Sequence, residues 1–146
     1  MKRQIILLDG GMGQELIKNS KSDPHPLWST YVMFKEPELV KKAHVDFIEA
    51  GASVVTLNTY STTPERLEAN NLLDKFSFFH KKAIDLAREA IDHTQKDVLI
   101  AGCLPPLVWS YRPDKAPDYE KCVDLYLQIV REQENFVDLF ICETMA

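Results

Sequence analysis

What most constrains this chain is the alternation of short apolar runs with longer amphipathic stretches. The runs cover residues 4–8, 53–57, 97–103 and 138–142. Each is apolar or β-branched, is bounded by turn residues and is too short for a core helix, as expected of strands covered on both faces. Helical patterns lie between them. Pro37 suits a first helical position, Gly51 suits a left-handed cap after the last turn, and Val40, Ala43, Phe47 and Ala50 share one face. Thr63, Pro64 and Glu65 open a shorter helical piece that runs to Leu72. Ala83, Leu86, Ala87, Ala90 and Ile91 form a stripe at helical spacing; Cys122, Leu125, Tyr126, Ile129 and Val130 repeat it in a helix starting at Asp118. The order is β-α-β-α-α-β-α-β, with long loops over residues 19–36 and 104–117. It predicts an α/β fold with a parallel sheet and right-handed crossovers. Periodicity alone leaves two architectures open: a doubly wound sheet, or part of a (β/α) barrel.

Composition narrows the function classes. With 17 Lys+Arg against 22 Asp+Glu the formal net charge is −5, the wrong sign for a surface that displaces counterions from nucleic acid. No stretch approaches the roughly 20 apolar residues of a membrane helix. The first apolar run ends in Asp9, Gly10 and Gly11, which is no signal-peptide cleavage region. Cys103, Cys122 and Cys142 are odd in number and lack CxxC spacing, so no disulfide framework is expected. The expectation is a soluble, acidic, cytoplasmic protein with no nucleic-acid or membrane partner.

In parallel α/β folds, ligands gather beyond the carboxyl ends of the strands. Asp9, Gly10 and Gly11 stand there after the first run, and Asn58, Thr59 and Tyr60 after the second. Cys103 to Pro106 follow the third run, and Glu143 and Thr144 the fourth. The glycine-rich turn lacks the G-x-G-x-x-G order, and Asn58 and Thr59 stand where a dinucleotide site wants an acid. Asp9 and Glu143 are candidates for one shared cavity, where paired carboxylates suit an ammonium group or a metal ion. Alternatively, Asp9 caps the helix after Gly11 and Glu143 faces solvent. Gly10 and Gly11 either let backbone N–H groups approach a ligand carboxylate or form a tight turn at positive φ. No lysine ends an assigned strand, so a Schiff-base lyase or aldolase lacks its central residue.

The segment from Leu7 through Asp9, Gly10, Gly11, Met12 and Gly13 to Leu16 resembles the opening of the homocysteine S-methyltransferases. Ala50 to Ala52 leading into Thr56 to Tyr60 is similar to the same family's second strand. So are Ala101 to Pro106, Ser110 to Asp114, and the closing Glu143, Thr144 and Met145, all in the family's order; Cys103 replaces the more usual serine. The resemblance implies a TIM-type (β/α)8 barrel of which residues 1–146 supply about the first four β/α units, a half barrel. It implies methyl transfer from a sulfonium, betaine or folate-type donor to the thiol of homocysteine, giving methionine. It also implies that Asp9 and Glu143 hold the homocysteine amino group, that Gly10 and Gly11 lie against its carboxylate, and that Asn58, Thr59 and Tyr60 line the same mouth. In that family a zinc ion held by three cysteines of the second half binds the homocysteine sulfur. Coordination turns a thiol of pKa about 8.5 into a thiolate.

Those three cysteines have no counterpart in this chain. Cys122 falls on an apolar stripe and is expected in the core. Strand alternation sends Cys142 toward the helices if Glu143 faces the site, leaving Cys103 alone near the mouth. His25, His44, His80 and His93 lack the spacing of a ligand pair, so solvated or capping roles are expected. Trp28 and Trp109 lie in the long loops, to pack them on the rim or to cover a ligand. Arg112 and Asp114 are expected to brace their loop. A different class of reading is a non-catalytic half barrel whose exposed first and fourth strands pair with another copy, as an assembly or binding module. Metal analysis of the 146-residue chain is expected to find well under one zinc per chain; one tightly bound zinc per chain would refute the assignment of the ligands elsewhere.

Overall fold

The computed structural model describes residues 5–145, so residue 4 of the expected first strand lies outside the described residues. The first apolar run contributes an isolated parallel bridge from Leu8 to Val54 rather than a full strand. Beside it run β1 (Val54–Thr56), β2 (Leu99–Leu104) and β3 (Leu139–Cys142), all parallel and paired in chain order. Val54 stands against Leu99, and Ala101 against Leu139. The sheet and its helices form the mixed α/β arrangement expected. No helix among the described residues is long and apolar enough to cross a membrane.

Among the described residues, six α-helices accompany the sheet. They are α1 (Met12–Asn19), α2 (Trp28–Lys35), α3 (Pro37–Glu49), α4 (Pro64–Glu68), α5 (Phe76–Thr94) and α6 (Tyr119–Gln133). Pro37 begins α3, and Gly51 follows it at φ +107°, a conformation that side chains with a Cβ rarely adopt. Asp118 caps α6 by accepting from the Lys121 N–H at 2.9 Å, and Thr63 caps α4 through the Arg66 N–H at 3.3 Å. The expected helix to Leu72 stops at Glu68, and a 3₁₀ turn at Leu73–Lys75 links it to α5. On α3 the apolar face holds Val40, Ala43 and Ile48, while Ala50 is exposed.

The 19–36 segment is not the loop its sequence suggests, since α2 occupies its end. The buried side of α2 carries Ser29 and Thr30 beside Val32 and Met33, so it shows no apolar stripe. Thr30 instead meets the Thr62 hydroxyl at 3.0 Å, a pairing that exists only in the folded chain.

Two histidines also correct the sequence expectation. His44 is fully buried on α3 with neither ring nitrogen partnered, and burial pushes its pKa down to about 4. His80 is buried on α5, where Nε2 donates to the Thr62 carbonyl at 3.2 Å and Nδ1 accepts from Gln133 Nε2 at 3.1 Å. Its pKa is likewise held near 4, chiefly by burial. His25 stacks on Tyr31 and accepts from the Leu27 N–H, while His93 is exposed.

Both buried imidazoles are neutral in the fold yet protonate near pH 6.5 once unfolded. The unfolded chain therefore binds more protons as pH falls. Stability present above pH 6.5 is expected to drop by about 1.4 kcal/mol per pH unit for each histidine down to about pH 4. Urea unfolding across that window checks the slope. His44→Leu is expected to flatten it, and an unchanged slope in this variant refutes the assignment.

Candidate functional site

The first edge of the sheet positions Asp9. Ser53 N–H donates to the Leu7 carbonyl at 2.9 Å, and Asp9 N–H donates to the Val54 carbonyl at 3.0 Å. Those two bonds align the segment with β1 and set Asp9 beside Thr56. The carboxylate accepts from the Thr56 N–H at 2.7 Å and from the Thr56 hydroxyl at 2.8 Å. Asp9 therefore does not cap α1, whose start at Gly11 has no side-chain cap. Burial raises the Asp9 pKa above its ordinary value; the Thr56 bonds oppose it, and the charge of Glu143 adds to it.

Glu143 comes from the other edge. Its N–H donates to the Leu104 carbonyl at 3.0 Å, prolonging the β2–β3 pairing by one residue. The side chain is half-buried, and Oε2 accepts from the Cys103 thiol at 3.0 Å, so it is not simply solvated. Burial, and then the Glu143 charge, push the Cys103 pKa well above its ordinary value, so this thiol remains a donor. Gln133 holds the Cys103 backbone: its Oε1 accepts from the Cys103 N–H at 3.1 Å, and its Nε2 reaches the Thr59 hydroxyl at 3.4 Å as well as His80.

Asp9 and Glu143 line one cavity of about 940 Å³ at the carboxyl ends of the strands. Gly10, Gly11, Asn58 and Tyr60 line it too. Thr59 departs from the expectation: it is buried, its hydroxyl turns to Gln133, and it is not part of the lining. Asn58 is buried and donates to the Ser29 carbonyl at 3.1 Å, which fixes α2 to the rim. The Tyr60 and Ser110 hydroxyls are hydrogen-bonded to each other at 2.6 Å.

Neither Gly10 nor Gly11 has positive φ, so a left-handed turn is not their reason. A Cβ on Gly10 would stand 2.7 Å from the Phe47 ring, which makes close packing its reason, whereas a Cβ on Gly11 would meet nothing closer than 3.9 Å. Among the described residues neither glycine N–H donates to a backbone carbonyl. Both glycines and residues Met12, Gly13 and Gln14 at the start of α1 line the cavity, and the Met12 N–H is taken by the Gly10 carbonyl at 2.8 Å.

Trp28 packs over Gly13, where a Cβ would stand 2.8 Å from its ring, and it meets Tyr60 edge-on at 6.5 Å. Trp109 also lines the cavity and is 66% exposed. Arg112 braces its loop by a two-pronged ion pair with Asp114 at 2.7 and 2.6 Å. Two charged lining residues escape a sequence reading, Glu65 and Arg66 of α4. Their one signal was position, directly after the Thr63 cap and shortly beyond β1.

The cysteines do not converge. Cys103 is buried against Glu143, Cys122 is half-buried against the Pro117 carbonyl, and Cys142 is exposed rather than covered by helices. Among the described residues no group of three or more His, Cys, Asp or Glu is placed to hold a metal ion. The residues present do not fit a thiolate-held zinc.

The family model described as homocysteine S-methyltransferase matches residues 6–146. The homocysteine S-methyltransferase of Escherichia coli (strain K12) is 30% identical over 159 aligned positions, covering 99% of this chain and 51% of that protein. A selenocysteine Se-methyltransferase of Brassica oleracea var. italica is 31% identical over 58% of this chain and 25% of its own length. The oxidized form of the E. coli homocysteine methyltransferase MmuM superposes with a TM-score of 0.84 at 29% identity, over 99% of this chain and 54% of that one. Its metallated form gives 0.81 at 28% identity. This chain thus spans about half the length of the E. coli relative.

Thr56→Val removes the hydroxyl donor to Asp9 while keeping the backbone one. The Asp9 pKa is expected to rise further, read by carboxyl NMR titration, with a stability loss of about 1–2 kcal/mol. A pKa that stays put or falls contradicts the geometry.

Proposed function

The chain belongs to the homocysteine S-methyltransferase family, and we propose that it forms the amino-acid-binding half of a (β/α)8 barrel that methylates the thiol of homocysteine. One observation carries the proposal. Carboxylates from the segment bridged to β1 and from the residue after β3 line the same cavity, close enough for the charge of Glu143 to raise the pKa of Asp9. The homocysteine ammonium sits between them, where opposite charge offsets the repulsion of the two acids. Its carboxylate lies on the free N–H groups of Gly10 and Gly11, helped by the dipole of α1. Asn58 and Tyr60 shape the mouth. Strands paired in chain order, with no reversal, support a barrel over a doubly wound sheet, whose order reverses at a switch point.

The reaction forms a bond from the homocysteine sulfur to the donor's methyl carbon. The donor's onium–carbon bond breaks and leaves its electron pair on the donor, and the thiol proton passes to solvent; the product is methionine. These residues capture and orient the amino acid and supply no thiol-activating ion. Capture needs ionised carboxylates, so affinity rises with pH as Asp9 loses its proton.

Calorimetric titration with homocysteine tests the proposal. Asp9→Ala and Glu143→Ala are each expected to weaken binding at least tenfold, since truncating one partner of a buried charge contact costs about 2–5 kcal/mol. Unchanged affinity in both folded variants overturns the role assignment.

A further inference from the structure

The two acids of the cavity are held unequally. Asp9 is fixed by two donors of Thr56, its backbone N–H at 2.7 Å and its hydroxyl at 2.8 Å. Among the described residues the Glu143 carboxylate has one donor, the Cys103 thiol at 3.0 Å, and no cation lies within 4.0 Å of either acid. A glutamate side chain has three rotatable bonds. Without the thiol, a ligand has to immobilise that side chain itself, at a cost in entropy.

Cys103 is anchored from behind. It is fully buried on β2, and its backbone N–H donates to Gln133 Oε1 at 3.1 Å. The next residue, Leu104, accepts the Glu143 N–H at 3.0 Å, so consecutive residues of one strand set both the main chain and the side chain of Glu143. Gln133 is tied in turn to Thr59 and His80. Burial, and then the charge of Glu143, keep the thiol protonated. Cys103 is not part of the cavity lining, so any influence it has on a ligand passes through Glu143.

The charge of the donor matters as much as its place. A lysine or arginine here would hold the carboxylate but cancel its charge and compete with a ligand ammonium. A neutral thiol orients the carboxylate and leaves its charge to the ligand, as the Thr56 hydroxyl does for Asp9.

We propose that Cys103 is a positioning residue of the capture site: its thiol presets the Glu143 carboxylate, and the selectivity for ligands bearing an ammonium group depends on it. The inference rests on the amino-acid capture proposed above and assigns part of its selectivity to a residue no ligand touches.

The test compares homocysteine with the analogue lacking its amino group, 4-sulfanylbutanoate, by calorimetry. The unaltered chain is expected to prefer homocysteine by about tenfold or more. Cys103→Ala deletes the donor and little volume; it is expected to lower that preference roughly fivefold, through homocysteine alone. Cys103→Ser keeps a neutral donor and is expected to retain the preference within about twofold. An infrared measurement needs neither ligand nor a Cys103 variant. Of the S–H stretching bands of the three free cysteines, the lowest, from the thiol on the carboxylate, is expected to move up in Glu143→Ala while the others stay. A preference unchanged in Cys103→Ala, an equal loss for both ligands, a loss in Cys103→Ser as large as in Cys103→Ala, or an S–H spectrum indifferent to Glu143→Ala each overturns the proposal. Failure of the capture reading looks different: the unaltered chain would bind both ligands alike, and the positioning role would fall with it.

Discussion

Parallel pairing is the constraint on which the site depends. A parallel sheet brings all its carboxyl ends to one side, so residues far apart in sequence, such as Asp9 and Glu143, emerge at the same mouth. Two edge bonds do the local work, Asp9 N–H to Val54 on one side and Glu143 N–H to Leu104 on the other. Slip either pairing by one residue and strand alternation turns the acid away from the cavity. The carboxylates are then held by groups of the sheet itself, Thr56 for Asp9 and Cys103 for Glu143.

Behind that mouth lies a buried polar chain. Gln133 on α6 touches the Cys103 backbone, the Thr59 hydroxyl and the His80 ring, and His80 continues to the Thr62 carbonyl. A satisfied network of this kind fixes how α5 and α6 sit against β2, because each member left alone would carry the full cost of its burial. It also explains Gly102: a Cβ there would stand 2.6 Å from Gln133 Oε1 and from the Phe140 ring. The site's geometry is thereby tied to the neutral state of an imidazole some way behind it.

Much of this was legible from local pattern. Alternating apolar runs and helical stripes gave the element order, and Pro37, Gly51 and Asp118 marked boundaries that the backbone respects, because caps and left-handed turns are local chemistry. That Asp9 and Glu143 share one cavity could be anticipated because both stand at strand ends, which a parallel sheet gathers on one side. What stayed hidden depended on partners distant in sequence. Helix α2 buries hydroxyls that pair with Thr62 and so shows no stripe. His44 and His80 read as solvated because nothing local signals their burial. Nothing local singles out Arg66, whose place at the cavity comes from its contacts with the Pro106 carbonyl and the Tyr60 ring.

The sequence by itself determined the α/β class, the strand ends and the acids that stand on them, since these follow from side-chain periodicity and turn chemistry within short windows. Only the tertiary structure decided that Thr59 turns inward, that Gly10 yields to Phe47 rather than to a left-handed turn, and that Arg66 reaches the cavity. The reason is physical. Which atoms are desolvated, and which donors lack acceptors, is a property of segments packed together and is written in no single stretch of chain.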